Sequence, residues 1–245
     1  MTIAIDEVIA GVYAFGASPQ TITKVGATSP TALTIQFYLT NGITTVVPSS
    51  VTYGSTPITI SSFDLYPAAL DRVCYYGSLI NPPSGAQSLV INYSGSAGCQ
   101  ILATFWTGDV ASVSWTTRAL ATVTPVVSIA RAATSAIATF AQTTFTPQSL
   151  VQFLGDGTER EIYPYAADTG IFTATQEPAQ GSGSIDWQYN ELGDLFAIET
   201  AHVSAEIVAT TVIPVGNPLT TIRARVRRFL TSARERQFSA RPRTR

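Results

Sequence analysis

Apolar and polar residues alternate along most of this chain, in short runs closed by Gly, Pro, Asn or Ser. The clearest run is 87–93 (QSLVINY), where Leu89, Ile91 and Tyr93 fall on one face at the period of a β-strand. Residues 31–39 (TALTIQFYL) read as a strand closed by the turn Asn41-Gly42, and residues 43–47 as another, stopped by Pro48. Residues 50–60 (SVTYGSTPITI) read as a hairpin about Gly54-Ser55. Residues 72–80 (RVCYYGSLI) follow, then the turn Asn81-Pro82-Pro83-Ser84-Gly85, then strands over 98–107 and 112–117. Residues 2–15 mix apolar and acidic positions and read as a strand or a short arm.

The period weakens over 119–141, which fits two strands or a strand and a helix; we read strands. Runs at 149–154, 171–176, 184–189 and 197–212 complete the series, with a turn at Gly155-Asp156-Gly157. About a dozen short strands with turns between them, and no amphipathic helices, predict an all-β fold. The specific expectation is a jelly-roll-like antiparallel β-sandwich over residues 1–213.

Pro214 and Pro218 break the pattern, and residues 214–245 read as a separate arm. Ile222, Val226, Phe229, Leu230 and Ala233 fit a helical stripe. Ile222, Ala224 and Val226 also alternate with Arg223, Arg225 and Arg227 as in a strand. Arg and Ala are good helix formers, which favours a short basic helix followed by an extended end. A solvated tail has no need of Phe229, Leu230 and Phe238, so part of the arm is expected to dock on a surface.

Charge sharpens the division. Residues 223–245 carry nine arginines against Glu235, a net +8. Residues 1–222 carry five basic residues against fifteen acids, a net −10. The total of −2 conceals an acidic body with a basic arm, and such arms grip nucleic acid, an acidic protein or a neighbouring copy. The candidate contact residues are Arg223, Arg225, Arg227, Arg228, Phe229, Leu230, Arg234, Arg236, Arg241, Arg243 and Arg245. Lys24 is the sole lysine, and arginine used throughout the arm favours planar, bidentate pairing with carboxylates over diffuse attraction. Nucleic acid is the alternative partner, with affinity falling steeply as salt rises.

Charged residues make up 12% of the chain, against about 25% in ordinary soluble domains. A surface wetted by hydroxyls and amides suits virion proteins and adhesins. No run reaches the roughly 18 apolar residues of a membrane span, and the N-terminus lacks the pattern of a signal peptide. Synthesis in a host cytoplasm without secretion is therefore expected.

No catalytic or metal site emerges, and no cofactor is expected. His202 is the single histidine, in an apolar stretch, and no Gly-x-Ser-x-Gly elbow exists. Cys74 and Cys99 read as buried thiols, with a disulfide as the alternative. Asp156, Glu159 and Glu161 form one acidic group, and Asp186, Glu191, Asp194 and Glu199 another. Paired carboxylates can hydrolyse glycosides or hold calcium, but neither spacing matches a calcium loop, and an acidic docking face for the arm is the better reading. Trp106, Trp115 and Trp187 can make a sugar platform, although core packing is the commoner use of aromatics in sandwiches. A glycan-binding module is the alternative function, with Trp187 and the Tyr163-Pro164-Tyr165 segment as its exposed aromatics.

One block carries a resemblance. VTYGSTPIT (51–59), LINPPSGAQSLVINYSG (79–95) and the Thr107-Gly108-Asp109 turn resemble a β-sandwich domain common in phage and bacterial surface proteins. This chain has Gly54-Ser55 where that domain has two glycines, and Gly108-Asp109 lacks an intervening valine. The resemblance implies a non-enzymatic role on a particle or cell surface, with Gly54 and Gly85 making turns and Pro82 and Pro83 a rigid corner. Taken together, the expectation is a structural protein of a tailed-phage-like virion, as capsid decoration or a head–tail or tail component. Its partners would be other virion proteins or copies of itself, with no membrane.

Overall fold

A computed structural model describes residues 3–24, 29–41, 46–64, 73–122, 126–131, 135–143, 151–153, 158–165, 169–176, 183–189 and 198–210. The regular structure among them is entirely β. The strands are β1 (Ala4–Ala17), β2 (Gln20–Thr23), β3 (Ala32–Thr40), β4 (Pro48–Tyr53), β5 (Thr56–Pro57) and β6 (Ile60–Asp64). Then come β7 (Val73–Ile80), β8 (Ser88–Tyr93), β9 (Ser96–Thr107), β10 (Val110–Thr122), β11 (Val126–Arg131) and β12 (Ser135–Thr143). The last are β13 (Val151–Phe153), β14 (Thr158–Tyr165), β15 (Thr169–Gln176), β16 (Gly183–Tyr189) and β17 (Ile198–Ala209). No helix among the described residues is long and apolar enough to cross a membrane.

The strands form four antiparallel sheets. An inner sheet runs β1-β9-β3-β7-β6, a first outer sheet β2-β8-β4-β5 and a second outer sheet β10-β17-β12-β15-β14. A three-stranded sheet runs β11-β16-β13. All these strands belong to the unit Met1–Thr210. The arm lies outside the described residues, and with it every Arg, Phe and Leu singled out there.

The inner sheet is covered on both faces, so all nine residues of β3 are buried. Successive side chains of a strand point to opposite faces. Leu33, Ile35, Phe37 and Leu39 therefore meet one core, shared with Ile101 and Phe105 of β9 and with Ile22, Tyr53, Leu89 and Ile91 of the first outer sheet. Ala32, Tyr38, Leu102 and Trp106 face the other way, onto Phe140 of β12 and Val203 and Ile207 of β17. The alternation of 31–39 suggests a strand with one wet face, but a third layer covers that face.

This second core also holds polar groups. Thr34, Gln36, Gln100 and Thr104 of the inner sheet are buried on this face, whereas the buried Ser135, Thr139 and Ser204 lie on the opposite face of the second outer sheet from Phe140 and Val203. Buried polar atoms need partners, and several find them across strands. Gln36 Nε2 donates to Ala138 O at 2.8 Å, tying one sheet to the next. Trp106 Nε1 donates to Thr34 Oγ1 at 3.0 Å, and Ser204 Oγ to Thr139 Oγ1 at 3.1 Å.

Several local expectations change. Pro48 opens β4, a first-residue position that its missing N–H tolerates, while residues 43–45 of the strand expected before it lie outside the described residues. The hairpin about Gly54 returns for only Thr56–Pro57, after which β6 crosses to the inner sheet. Strands β2 and β14 were not legible, whereas 119–141 holds the end of β10, all of β11 and most of β12. Gly77 permits the β6–β7 contact: a Cβ there would lie 2.5 Å from Thr59 O and 2.8 Å from Ile60 Cδ1.

Candidate functional site

The described residue cluster richest in chemistry is a buried set of charges near the start of β1. Ile3, Ile5, Val8 and Ala10 all pack toward the second outer sheet. The change from odd to even positions requires one extra residue, and β1 supplies it with a bulge. Ile5 pairs with Trp106 and Glu7 with Phe105, leaving Asp6 between them. The bulge turns two consecutive carboxylates, Asp6 and Glu7, toward the first outer sheet, where a regular strand would send one each way.

Lys24 meets them there. It directly follows β2, and its backbone N–H donates to Gln87 O at 3.0 Å. Its side chain is fully buried, with Nζ 2.9 Å from Asp6 Oδ2 and 3.4 Å from Glu7 Oε2. The same Nζ lies 5.4 Å from the centre of the Phe105 ring. Although the Asp6 contact is short, Oδ2 accepts no aligned hydrogen bond, so proximity of charge defines this pair. Two carboxylates thus share one ammonium in a site with little water. Breaking such a set costs far more than making it gains.

Tyr53 closes the cluster from β4. Its ring lies 5.3 Å from that of Phe105, and its hydroxyl donates to Gly85 O at 3.4 Å. Burial, then the charges of Glu7 and Asp6, push the phenol above its ordinary value. The turn residues found in the sequence converge here. Gly54 (φ 58°) and Gly85 (φ 82°) adopt the left-handed conformation that glycine takes without strain. A Cβ on Gly54 would lie 3.1 Å from Gln87 Oε1 and 3.7 Å from Pro83 Cγ, while Pro82 is buried.

The other candidates are scattered. Trp106 is wholly buried, so it belongs to the core and not to a sugar platform. Trp115 is half-buried and packs at 4.9 Å against Tyr76 with the rings tilted at 47°. Trp187 lies on β16, opposite Val127 and Phe153 in register, and the Tyr163-Pro164-Tyr165 segment ends β14. His202 is on β17 between Arg118 and Ala141. Glu159 and Glu161 flank a bulge on β14, Asp186 is on β16 and Glu199 on β17. Asp156, Glu191 and Asp194 lie outside the described residues. No group of three or more His, Cys, Asp or Glu among the described residues is placed to hold a metal ion.

Cys74 and Cys99 are buried thiols not joined to each other by a disulfide, and the topology explains why. They sit on opposite faces of the inner sheet, Cys74 in the second core and Cys99 in the first. Burial pushes both thiols up to about 12, which keeps them protonated and poorly nucleophilic at neutral pH.

Fold and site together define a layered, antiparallel all-β protein with an ionic tie between two of its sheets. No protein-family model matches the chain, and no curated protein and no solved structure matches it. Lys24, Asp6 and Glu7 escaped sequence reasoning. The available signal was a sole lysine in a chain that otherwise uses arginine for its positive charge.

Proposed function

We propose that this chain is a non-enzymatic structural protein of a tailed-phage-like virion, with a jelly-roll-like body and an arginine-rich arm that clasps neighbouring subunits. It serves as capsid decoration or as a head–tail or tail component. The observation that carries this reading is the charge partition, −10 over residues 1–222 against +8 over 223–245. Opposite charges on body and arm of one chain suit head-to-tail contact between copies, steered by long-range attraction and fixed by Arg–carboxylate pairs.

Two further features support it. The block 51–108 resembles a domain of phage and bacterial surface proteins. Strand β10 also runs for 13 residues with β17 as its one neighbour among the described strands. Along the described part of that strand Arg118 is the only charged side chain. Long, weakly charged edges readily pair with other chains.

Light scattering coupled to size exclusion tests the clasp, comparing the full chain with one ending at Gly216 across a salt series. The full chain is expected to form oligomers free of nucleic acid, and the shortened chain to be monomeric. Nucleic acid that co-purifies with the full chain and dissociates at high salt would instead make the arm a genome tether. Monomers from both chains would remove the clasp.

A further inference from the structure

We propose that Lys24 and Asp6 condense to form an intramolecular amide, a covalent cross-link between the inner sheet and the first outer sheet. The inference stands on the ionic cluster alone and does not depend on the virion reading.

Three features point to it. First, the amine and the carboxyl are already in contact: Nζ is 2.9 Å from Asp6 Oδ2, and that oxygen is not engaged as an aligned hydrogen-bond acceptor. A fixed approach of this kind corresponds to effective concentrations of about 10⁵–10⁸ M in favourable intramolecular cases. Second, a proton carrier stands beside them. Glu7 Oε2 is 3.4 Å from Nζ, because the bulge puts neighbouring carboxylates on one face. Third, water is scarce. Lys24 is fully buried, and the rings of Phe105 and Tyr53 wall the site. In such surroundings a neutral amide replaces two buried charges, which removes their desolvation cost.

The step balances without an added reagent. Glu7 takes a proton from the Lys24 ammonium, and the freed amine attacks Asp6 Cγ. The new C–N bond forms, one C–O bond breaks, and protons from the amine, relayed through Glu7, leave with that oxygen as water. Glu7 ends as it began, a proton-relaying residue beside the reacting pair. At 18% exposure, its side chain is the more open of the two carboxylates and marks the exit for water.

The sole lysine makes the test unusually clean. The full chain is denatured, weighed intact and digested with a lysine-specific protease. The expected mass is that of the sequence less one water, and Lys24 is expected to resist cleavage. Asp6→Ala keeps the Lys24–Glu7 pair, and is expected to restore the full mass and cleavage at Lys24. Glu7→Gln is expected to leave most of the chain uncondensed. A wild-type chain of full mass that is cleaved at Lys24 overturns the proposal. So does a water loss that persists in Asp6→Ala, since the modification then lies elsewhere.

Discussion

Relative to the chain in which Lys24 and Asp6 are still an ion pair, replacing Lys24 with methionine is expected to destabilise the protein by about 3–5 kcal/mol at neutral pH, the usual consequence of removing one partner from a buried ion pair. Methionine matches the stem of lysine in length and is flexible, so packing over Phe105 is largely kept. What is lost is the charge that Asp6 and Glu7 share, at 2.9 and 3.4 Å. Two adjacent carboxylates then face a closed core without a cation. Thermal melting measures the loss, as a fall in Tm on the order of 10 °C. The triple change Lys24→Met, Asp6→Asn, Glu7→Gln is expected to recover most of it, because the cost lies in the unpaired charges. A single variant as stable as the wild type would mean that the cluster is not buried as described.

Trp106→Ala is expected to be comparably severe, costing about 3–5 kcal/mol as large-to-small core substitutions of this kind do. The indole is fully buried and fills the space between the inner sheet and the second outer sheet. Its N–H is also the donor to Thr34 Oγ1 at 3.0 Å, and Thr34 is itself fully buried. The alanine variant therefore opens a cavity and removes a hydrogen bond at once. Trp106→Phe keeps most of the volume and loses the donor, and about 1–2 kcal/mol is expected for it. Urea unfolding separates the two, with midpoints ordered wild type, then Phe, then Ala, at unchanged slope. A solvated Trp106 would tolerate either change.

Strand rhythm was legible wherever one face of a strand is buried and the other is wet. Leu89, Ile91 and Tyr93 point inward in β8 as the alternation of 87–93 requires, with half-buried residues between them. It misled where both faces are covered. Thr34, Gln36 and Thr104 look like surface positions, yet they lie in the second core, since sequence period cannot reveal a third layer. Gln36 shows how such residues are tolerated, by a bond from its amide to the Ala138 carbonyl. The ionic cluster was illegible for a different reason. Asp6 and Glu7 meet Lys24 because of a one-residue bulge, and bulges leave no pattern in a single sequence. Strand β2 was missed because it has only four residues, and β14 because its charges, Glu159 to Glu161, read as part of a loop.

Mass spectrometry of purified particles from cells that produce the chain tests the structural role most directly. The chain is expected among the major particle proteins, at a fixed ratio to them through successive purification steps. Its absence from the particles, while abundant in the same lysate, would contradict that role.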